Sequence, residues 1–340
     1  MGYDILLATM SEPNPGLVWD TMTAHHRSAA LKAGIELGLF NALGDGPQTA
    51  AALAQRAGVP ERGMRILCDF LTIHGLVAKS DNLYQHTPTS AVFLDEKSPA
   101  SMAPTLPFMM NSKIMAASTV LTETIRLGHT ALDEPLAGEE VVEWVTFARS
   151  MHPMMSAAAE FIADKVMAAG TPVKVLDVAA SHGLFGIAIA KRVPSCEIVA
   201  LDFSSILEVT LENARAADVT LTPLPGSAFT ADLGTGYDAI LVTNLFHHFS
   251  IEDNTSLMKR FRAALRPGGQ MITLEMIPNA DRISPPAAAS FSMMMLCNTP
   301  LGDAFTMDEY NHMLDASGFG PREVMDVPMS PQQLLVATAI

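Results

Sequence analysis

The stretch Val173–Lys191, VKVLDVAASHGLFGIAIAK, constrains this chain more than any other. Val173, Val175, Leu176 and Val178 read as a buried strand. A turn of small residues follows, Ala179-Ala180-Ser181-His182-Gly183, and LFGIAIAK then reads as a buried helix. Strand, tight turn and helix make the entry unit of a nucleotide-binding α/β sheet. Asp177 stands at the carboxyl end of the strand, where an acid suits a ligand's hydroxyls and cation. The helix amino terminus offers free N–H groups to anionic groups. The turn is not G-x-G-x-x-G, because alanines stand where two glycines would let the backbone approach a pyrophosphate. It suits a ligand with a ribose and no pyrophosphate better than a dinucleotide. On these residues alone an ordinary strand-to-helix turn stays open.

From Val173 onward the pattern repeats. SCEIVALDF is a second strand ending in Asp202, twenty-five positions after Asp177. That is close to the spacing at which an acid meets a ribose hydroxyl pair in related sheets. Asp202 could instead cap the helix SSILEVTLENARAA, a task Ser204 could also perform. Leu221–Phe229 reads as a third strand edge and loop, and YDAILVTNLFHHF as a fourth strand running into His247-His248. IEDNTSLMKRFRAALRPGG is read as a helix ending at Pro267-Gly268-Gly269, and QMITLEMIP as a fifth strand carrying Glu275. DEYNHMLDASGF is a helix stopped by Gly318, and VMDVPMSPQQLLVATAI supplies closing strands. Such alternation predicts an α/β fold with a mostly parallel, doubly wound sheet.

The amino-terminal part reads differently. Residues 16–43 are helical in pattern, Thr49 can cap the next helix, and Pro60–Gly75 forms a third. LVAKSDNLYQHTP follows as a hairpin with Ser80-Asp81-Asn82 at its tip, completing a winged-helix layout. Its third helix offers Arg62 and Arg65 beside Glu61 and Asp69, and the chain carries 21 basic against 36 acidic residues, a net charge of −15. Nucleic acid would reward a basic face, so the module is read as a means of oligomerisation. His25 and His26 are neighbours and do not share a helix face, so no joint metal site is expected there. Residues 96–170 look mostly helical, with a long segment from Glu139 interrupted near Pro153, and Phe147 and Met151 point the same way. Three scattered cysteines, without a C-x-x-C pair, fit a reducing compartment and no zinc site. The amino terminus lacks a basic region and no apolar run is long enough for a bilayer, so a cytoplasmic protein is expected. The 22 methionines read as core filler or as a plastic pocket wall for an apolar or sulfur-bearing substrate.

On these marks the chain resembles the small-molecule S-adenosylmethionine-dependent O-methyltransferases of the plant type, also called the acetylserotonin or caffeate type. The resemblance spans nearly the whole chain. It implies a class I methyltransferase, Rossmann-like sheet over 171–340, a helical linker contributing to the pocket over 96–170, and a winged-helix dimerisation domain over 1–95. The family turn D-V-G-G-G-x-G matches Asp177–Gly183, which implies that the methionine part of the cofactor passes over Ala179 and Gly183. Asp202 stands for the ribose-binding acid, with Phe203 flanking the adenine. The G-D-x-F loop matches Gly226-Ser227-Ala228-Phe229, with a serine in place of the adenine-binding aspartate. Thr243 and Asn244 are assigned to the same cofactor site, and Phe147, Met151, Met295 and Thr299 to the acceptor side. The family's H-D-W segment matches His247-His248-Phe249, making His247 the general base, and Glu275 stands where a glutamate steers it. In the segment matching N-P-G-G-K, Ala304 occupies the place of a second glutamate, with Asp303 adjacent. The implied partners are a small hydroxylated, aromatic acceptor and a second copy of the chain, with no metal, nucleic acid or membrane. Two alternatives are an S-methyltransferase that orients a thiol or thioether without a strong base, and a non-catalytic cofactor-binding regulator acting on DNA.

Overall fold

The computed structural model describes residues 13–133 and 142–340. The amino-terminal stretch and the start of the helical segment at Glu139 lie outside them. The described chain divides into two compact units, the first ending at Leu106 and the second beginning at Pro107. The segment 96–170 is thus shared between them.

In the first unit, Asn14 caps helix α1 (Pro15–Glu36) by accepting the Gly16 N–H, with Pro15 in the first turn. A short α2 (Leu39–Leu43) and strand β1 (Gln48–Thr49) lead to α3 (Ala50–Ala57), capped by Thr49 and closed by Gly58 in the left-handed region. Helix α4 (Glu61–Ile73) is followed by the hairpin of β2 (Val77–Ser80) and β3 (Leu83–His86), and β1 adds to β3. Helix α5 (Pro88–Phe93) opens with a capping box between Thr87 and Ser90. Phe40, Leu53, Met64, Cys68, Leu71 and Tyr84 form the core of this winged-helix arrangement. Arg65 pairs with Asp69, which also takes the Tyr84 hydroxyl, so this basic residue is spent within the unit.

A 3-10 turn (Ala103–Thr105) leads into α6 (Leu106–Met109). Helices α7 (Ser112–Thr119), α8 (Leu121–Leu127), α9 (Val142–Ser150) and α10 (His152–Ala168) come next. The chain breaks at Met151 between α9 and α10, with Pro153 in the first turn of α10, where a missing N–H costs nothing. The sheet then begins: β4 (Lys174–Val178), α11 (Leu184–Arg192), β5 (Glu197–Asp202), α12 (Ser204–Ala216) and β6 (Thr222–Pro225). Strand β7 (Tyr237–Thr243), a 3-10 turn (Phe246–His248), α13 (Ile251–Ala264) and β8 (Leu265–Glu275) follow. Helices α14 (Pro286–Asn298) and α15 (Met307–Ala316) and strands β9 (Phe319–Asp326) and β10 (Gln333–Ala339) complete the chain.

Seven strands lie in the order β6-β5-β4-β7-β8-β10-β9. Strands β4 to β8 are parallel, and β10 and β9 close the edge antiparallel. Alternation along each strand feeds two cores. Val175, Ile198, Leu241 and Ile272 face α10 and α11, whereas Leu176, Leu201, Ile240 and Met271 face α13 and α15. Boundaries differ from expectation in two places: the helix read over 16–43 ends at Glu36 and restarts as α2 at Leu39 after Gly38 in the left-handed region, and α13 stops at Ala264, with Leu265 to Gly269 already in β8. Leu265 pairs with Tyr237, Gly268 turns through φ +76°, and the ladder resumes at Gln270 opposite Ala239. No described helix is long and apolar enough to cross a membrane.

Candidate active site

Parallel strands deliver their carboxyl ends to one edge of the sheet, and the expected cofactor and base residues arrive there together. The β4–α11 turn holds φ of +52° at Ala179, +52° at Ser181 and +73° at Gly183. The left-handed shape survives the replacement of glycines. Neighbouring groups hold it: Ser181 N–H donates to Asp202 Oδ2 (2.8 Å), the Thr210 hydroxyl to Ser181 O (2.6 Å) and Asn213 Nδ2 to His182 O (2.9 Å). Gly183 alone had to remain, since a Cβ there would lie 2.8 Å from Thr210 Cγ2.

Asp177 shares the strand face of Val175 and lies under α11 rather than in open view. It is fully buried, and Oδ2 accepts the Gly186 N–H at 3.0 Å. Burial, with the Asp202 carboxyl adding to it, pushes its pKa up to about 8 against the pull of the Gly186 N–H. Asp202 is buried at the end of β5; Oδ1 accepts the Phe203 N–H (2.8 Å) and burial raises its pKa to about 6. It spans two turns, and Phe203, not Ser204, occupies the cap position of α12. His182 is buried in the turn, where Nδ1 accepts the Leu184 N–H (3.2 Å) and burial lowers its pKa to about 3. Asp177 Oδ1 and Ser181 Oγ are buried without a partner among the described residues. Unspent polar atoms beside an opened backbone fit a ligand carrying amino, carboxyl and ribose groups, as S-adenosylmethionine does.

Beyond β6, Gly226 takes φ +147° and donates its N–H to Asp202 O (3.0 Å). Ser227 Oγ accepts the Phe229 N–H (3.3 Å), while Ala228 and Phe229 pack toward the α13 side of the sheet. Thr243 is buried at the end of β7. Asn244 turns the chain with φ +56°, its amide held by Gln332 and set 3.7 Å from Met155 Sδ.

That turn aims the next residues at Glu275. Its Oε1 accepts the N–H groups of Leu245 and Phe246, both at 2.9 Å, and its Oε2 lies 2.6 Å from His247 Nδ1. Glu275 is fully buried and has a partner on each oxygen. A carboxylate oxygen at this distance accepts the Nδ1–H of His247, which leaves Nε2 on the side of the ring away from Glu275. Asn254, itself buried, fixes the 3-10 turn by donating to Phe246 O (2.8 Å). The ring of Phe291 stands edge-on to His247 at 4.9 Å, and Trp144 stands edge-on to His248 at 5.1 Å. Burial and the adjacent His247 hold the pKa of His248 well below the ordinary value.

Phe147 joins Trp144 and Phe108 in an aromatic cluster, with Phe108 edge-on at 4.8 Å. Met151 and Met295 are buried, while Met154 and Met293 are largely exposed, so the methionine clusters divide between core and surface. Thr299 is buried, and its hydroxyl donates to Met295 O (2.7 Å) and accepts the Gly302 N–H (2.9 Å). A Cβ on Gly302 would lie 2.1 Å from His247 O, so this loop seats directly against the histidine segment. Asp303 turns to Arg282 (3.3 Å) and to the Ala304 N–H (2.8 Å), and so is engaged away from His247. Trp144, inside α9, and Phe291, inside the mostly apolar α14, went unnoticed in the sequence, because neither carries a motif of its own.

The chain matches the family model described as the O-methyltransferase domain over residues 141–320, and that of the O-methyltransferase dimerisation domain over 19–96. It is 26% identical over 317 residues to 3-hydroxy-5-methyl-1-naphthoate 3-O-methyltransferase of Streptomyces sahachiroi, covering 89% of each chain. A solved structure from Nostoc punctiforme, assigned as an O-methyltransferase, is 41% identical, with TM-score 0.94 over 96% of this chain and 100% of that one. Human N-acetylserotonin methyltransferase in complex with S-adenosylmethionine shares the fold, with TM-score 0.85 and 20% identity over 97% and 99% of the two chains.

Proposed function

Because the chain belongs to the O-methyltransferase family, and so is an S-adenosylmethionine-dependent enzyme acting on small molecules, we propose that His247 is the general base for methylation of an aromatic hydroxyl. The observation that carries this reading is the 2.6 Å contact between His247 Nδ1 and the buried, fully bonded Glu275. The cofactor, when bound, supplies a methyl group already activated on a sulfonium. The chain's own residues then have three tasks. Asp202, Phe203 and the Gly226–Phe229 loop hold the ribose and adenine, and the turn from Ala179 to Gly183 holds the amino-acid end. Glu275 keeps His247 in one tautomer, with Nε2 free to take the acceptor's proton. Phe291, Trp144 and Phe147 supply apolar ring surface that suits a planar acceptor and keeps water away.

The thiol alternative needs no base, and the Glu275–His247 pair favours a hydroxyl. Pairing of two copies through the first unit completes the proposal; the match to the dimerisation domain and the exposed apolar residues of α1 support it.

The test uses a panel of phenols with labelled S-adenosylmethionine. His247→Ala is expected to lower kcat by about 10²–10⁴-fold. Glu275→Gln keeps the bonds to Leu245 and Phe246 but loses the anion, and is expected to lower kcat as well. Calorimetric affinity for S-adenosylhomocysteine should stay near that of the parent. Full turnover in His247→Ala removes the base role.

A further inference from the structure

The loop after β6 is one of the places where the chain departs from the family pattern, and it is also where one side chain reaches in from another element. Ser227 is spent on its own turn: Oγ accepts the Phe229 N–H at 3.3 Å, and its carbonyl accepts those of Thr230 (3.1 Å) and Ala231 (2.8 Å). Two further carbonyls of the loop are taken by a single guanidinium. Arg260, on α13, donates from Nε to Ala228 O at 3.0 Å and from Nη2 to Ala231 O at 2.5 Å. Among the described residues this half-buried guanidinium has only those two carbonyl partners.

We propose that Arg260 is a positioning residue for adenine recognition: its two-point grip fixes the loop backbone at Ala228 and Ala231, so that the loop selects the adenine base without an acid at position 227. This rests on the reading that the loop holds the adenine of S-adenosylmethionine. The physical basis is the planar fork of arginine, which presents two donors in fixed geometry. A lysine offers a compact charge whose three donors rotate freely and are not held in a planar fork. Without the grip, the Ala228 and Ala231 carbonyls lose their charged donor, and the loop samples more shapes. The exocyclic amine of the base is the group that such loosening reaches first, because the ribose is held from β5.

The experiment compares S-adenosylhomocysteine with S-inosylhomocysteine, which lacks the exocyclic amine, by calorimetry on the full-length protein. Arg260→Met is expected to weaken S-adenosylhomocysteine by about tenfold. Its preference for adenine over hypoxanthine should fall toward unity, with the kinetic loss in cofactor KM rather than in kcat. Arg260→Lys should restore part of the preference. Asp202→Asn serves as the control for the cofactor site and should weaken both ligands alike. If it weakens neither, the cofactor-site reading fails. If it weakens both while Arg260→Met keeps the parental preference, the Arg260 proposal is overturned and the site reading stands. Should Arg260→Met not fold, amide exchange in Arg260→Lys decides: faster exchange at Thr230 and Ala231 supports the grip, and parental exchange overturns it.

Discussion

Ala179 and Ser181 sit at φ +52°, a region in which a side chain normally costs about 1–2 kcal/mol. The turn keeps that shape because Asp202, Thr210 and Asn213 hold it from outside. Ala179→Gly removes the Cβ strain but adds chain entropy to the unfolded state, so its melting temperature is expected to match or slightly exceed the parent's. Ala179→Val puts a branched side chain where it fits worst and should lose about 1–3 kcal/mol in denaturant unfolding. A valine variant as stable as the parent would show that the turn is not held as described. At this scale the sequence was informative about identity and less so about direction. Asp177, Asp202 and His247 could be picked out because they stand at strand ends, whereas Glu275 was singled out only through the family resemblance. That Asp177 lies under α11 was implicit in the strand period, since it follows Val175 by two. The use of Thr210 and Asn213 was not legible, because which helix face meets the turn depends on how α12 packs.

At the scale of elements, short apolar runs bounded by turn signals were readable as strands, and a longer apolar segment without a helical period was not. Strands β4, β5 and β7 show the continuous apolar runs of buried parallel strands. Helix α14, PAAASFSMMMLCN, is apolar or small on nearly every side, so no helical period stands out, although Pro286 at its start was an available signal. Yet this helix brings Phe291 to His247. Helix α1 shows the converse. It reads clearly as a helix, but Val18, Trp19 and Met22 are 60%, 65% and 66% exposed, and Ile73 on α4 is 77% exposed. Apolar surface of this kind marks an interface. Replacing Trp19 and Met22 together by aspartate is therefore expected to halve the mass measured by sedimentation equilibrium while the circular dichroism of the fold persists. An unchanged mass would place the contact between copies elsewhere.

For the molecule as a whole, the buried titratable groups of the cofactor turn make stability depend on pH with a definite sign. Asp177 and Asp202 have folded pKa values raised to about 8 and about 6 from 3.8, so the folded state favours their neutral forms. Their contribution is complete below pH 4 and is lost as pH rises through those values. His182 works the other way: its folded value is lowered to about 3 from 6.5, so its contribution is present above 6.5 and lost on acidification. His248, lowered for the same reason of burial, adds to that opposing slope. Between pH 4 and 6.5 the acids and the imidazoles therefore largely cancel. Above 6.5 the imidazoles are neutral in both states, and Asp177 alone continues to lose. Unfolding free energy of protein freed of cofactor should then fall from pH 6.5 to 8, with a slope approaching about 1.4 kcal/mol per pH unit. Urea titrations at fixed ionic strength measure it. Asp177→Asn, neutral at every pH, should flatten that limb and leave the region below pH 6 dominated by the histidines. A falling limb that survives Asp177→Asn would assign the titration to another group and would mean that the carboxyl beneath α11 is already ionised at neutral pH.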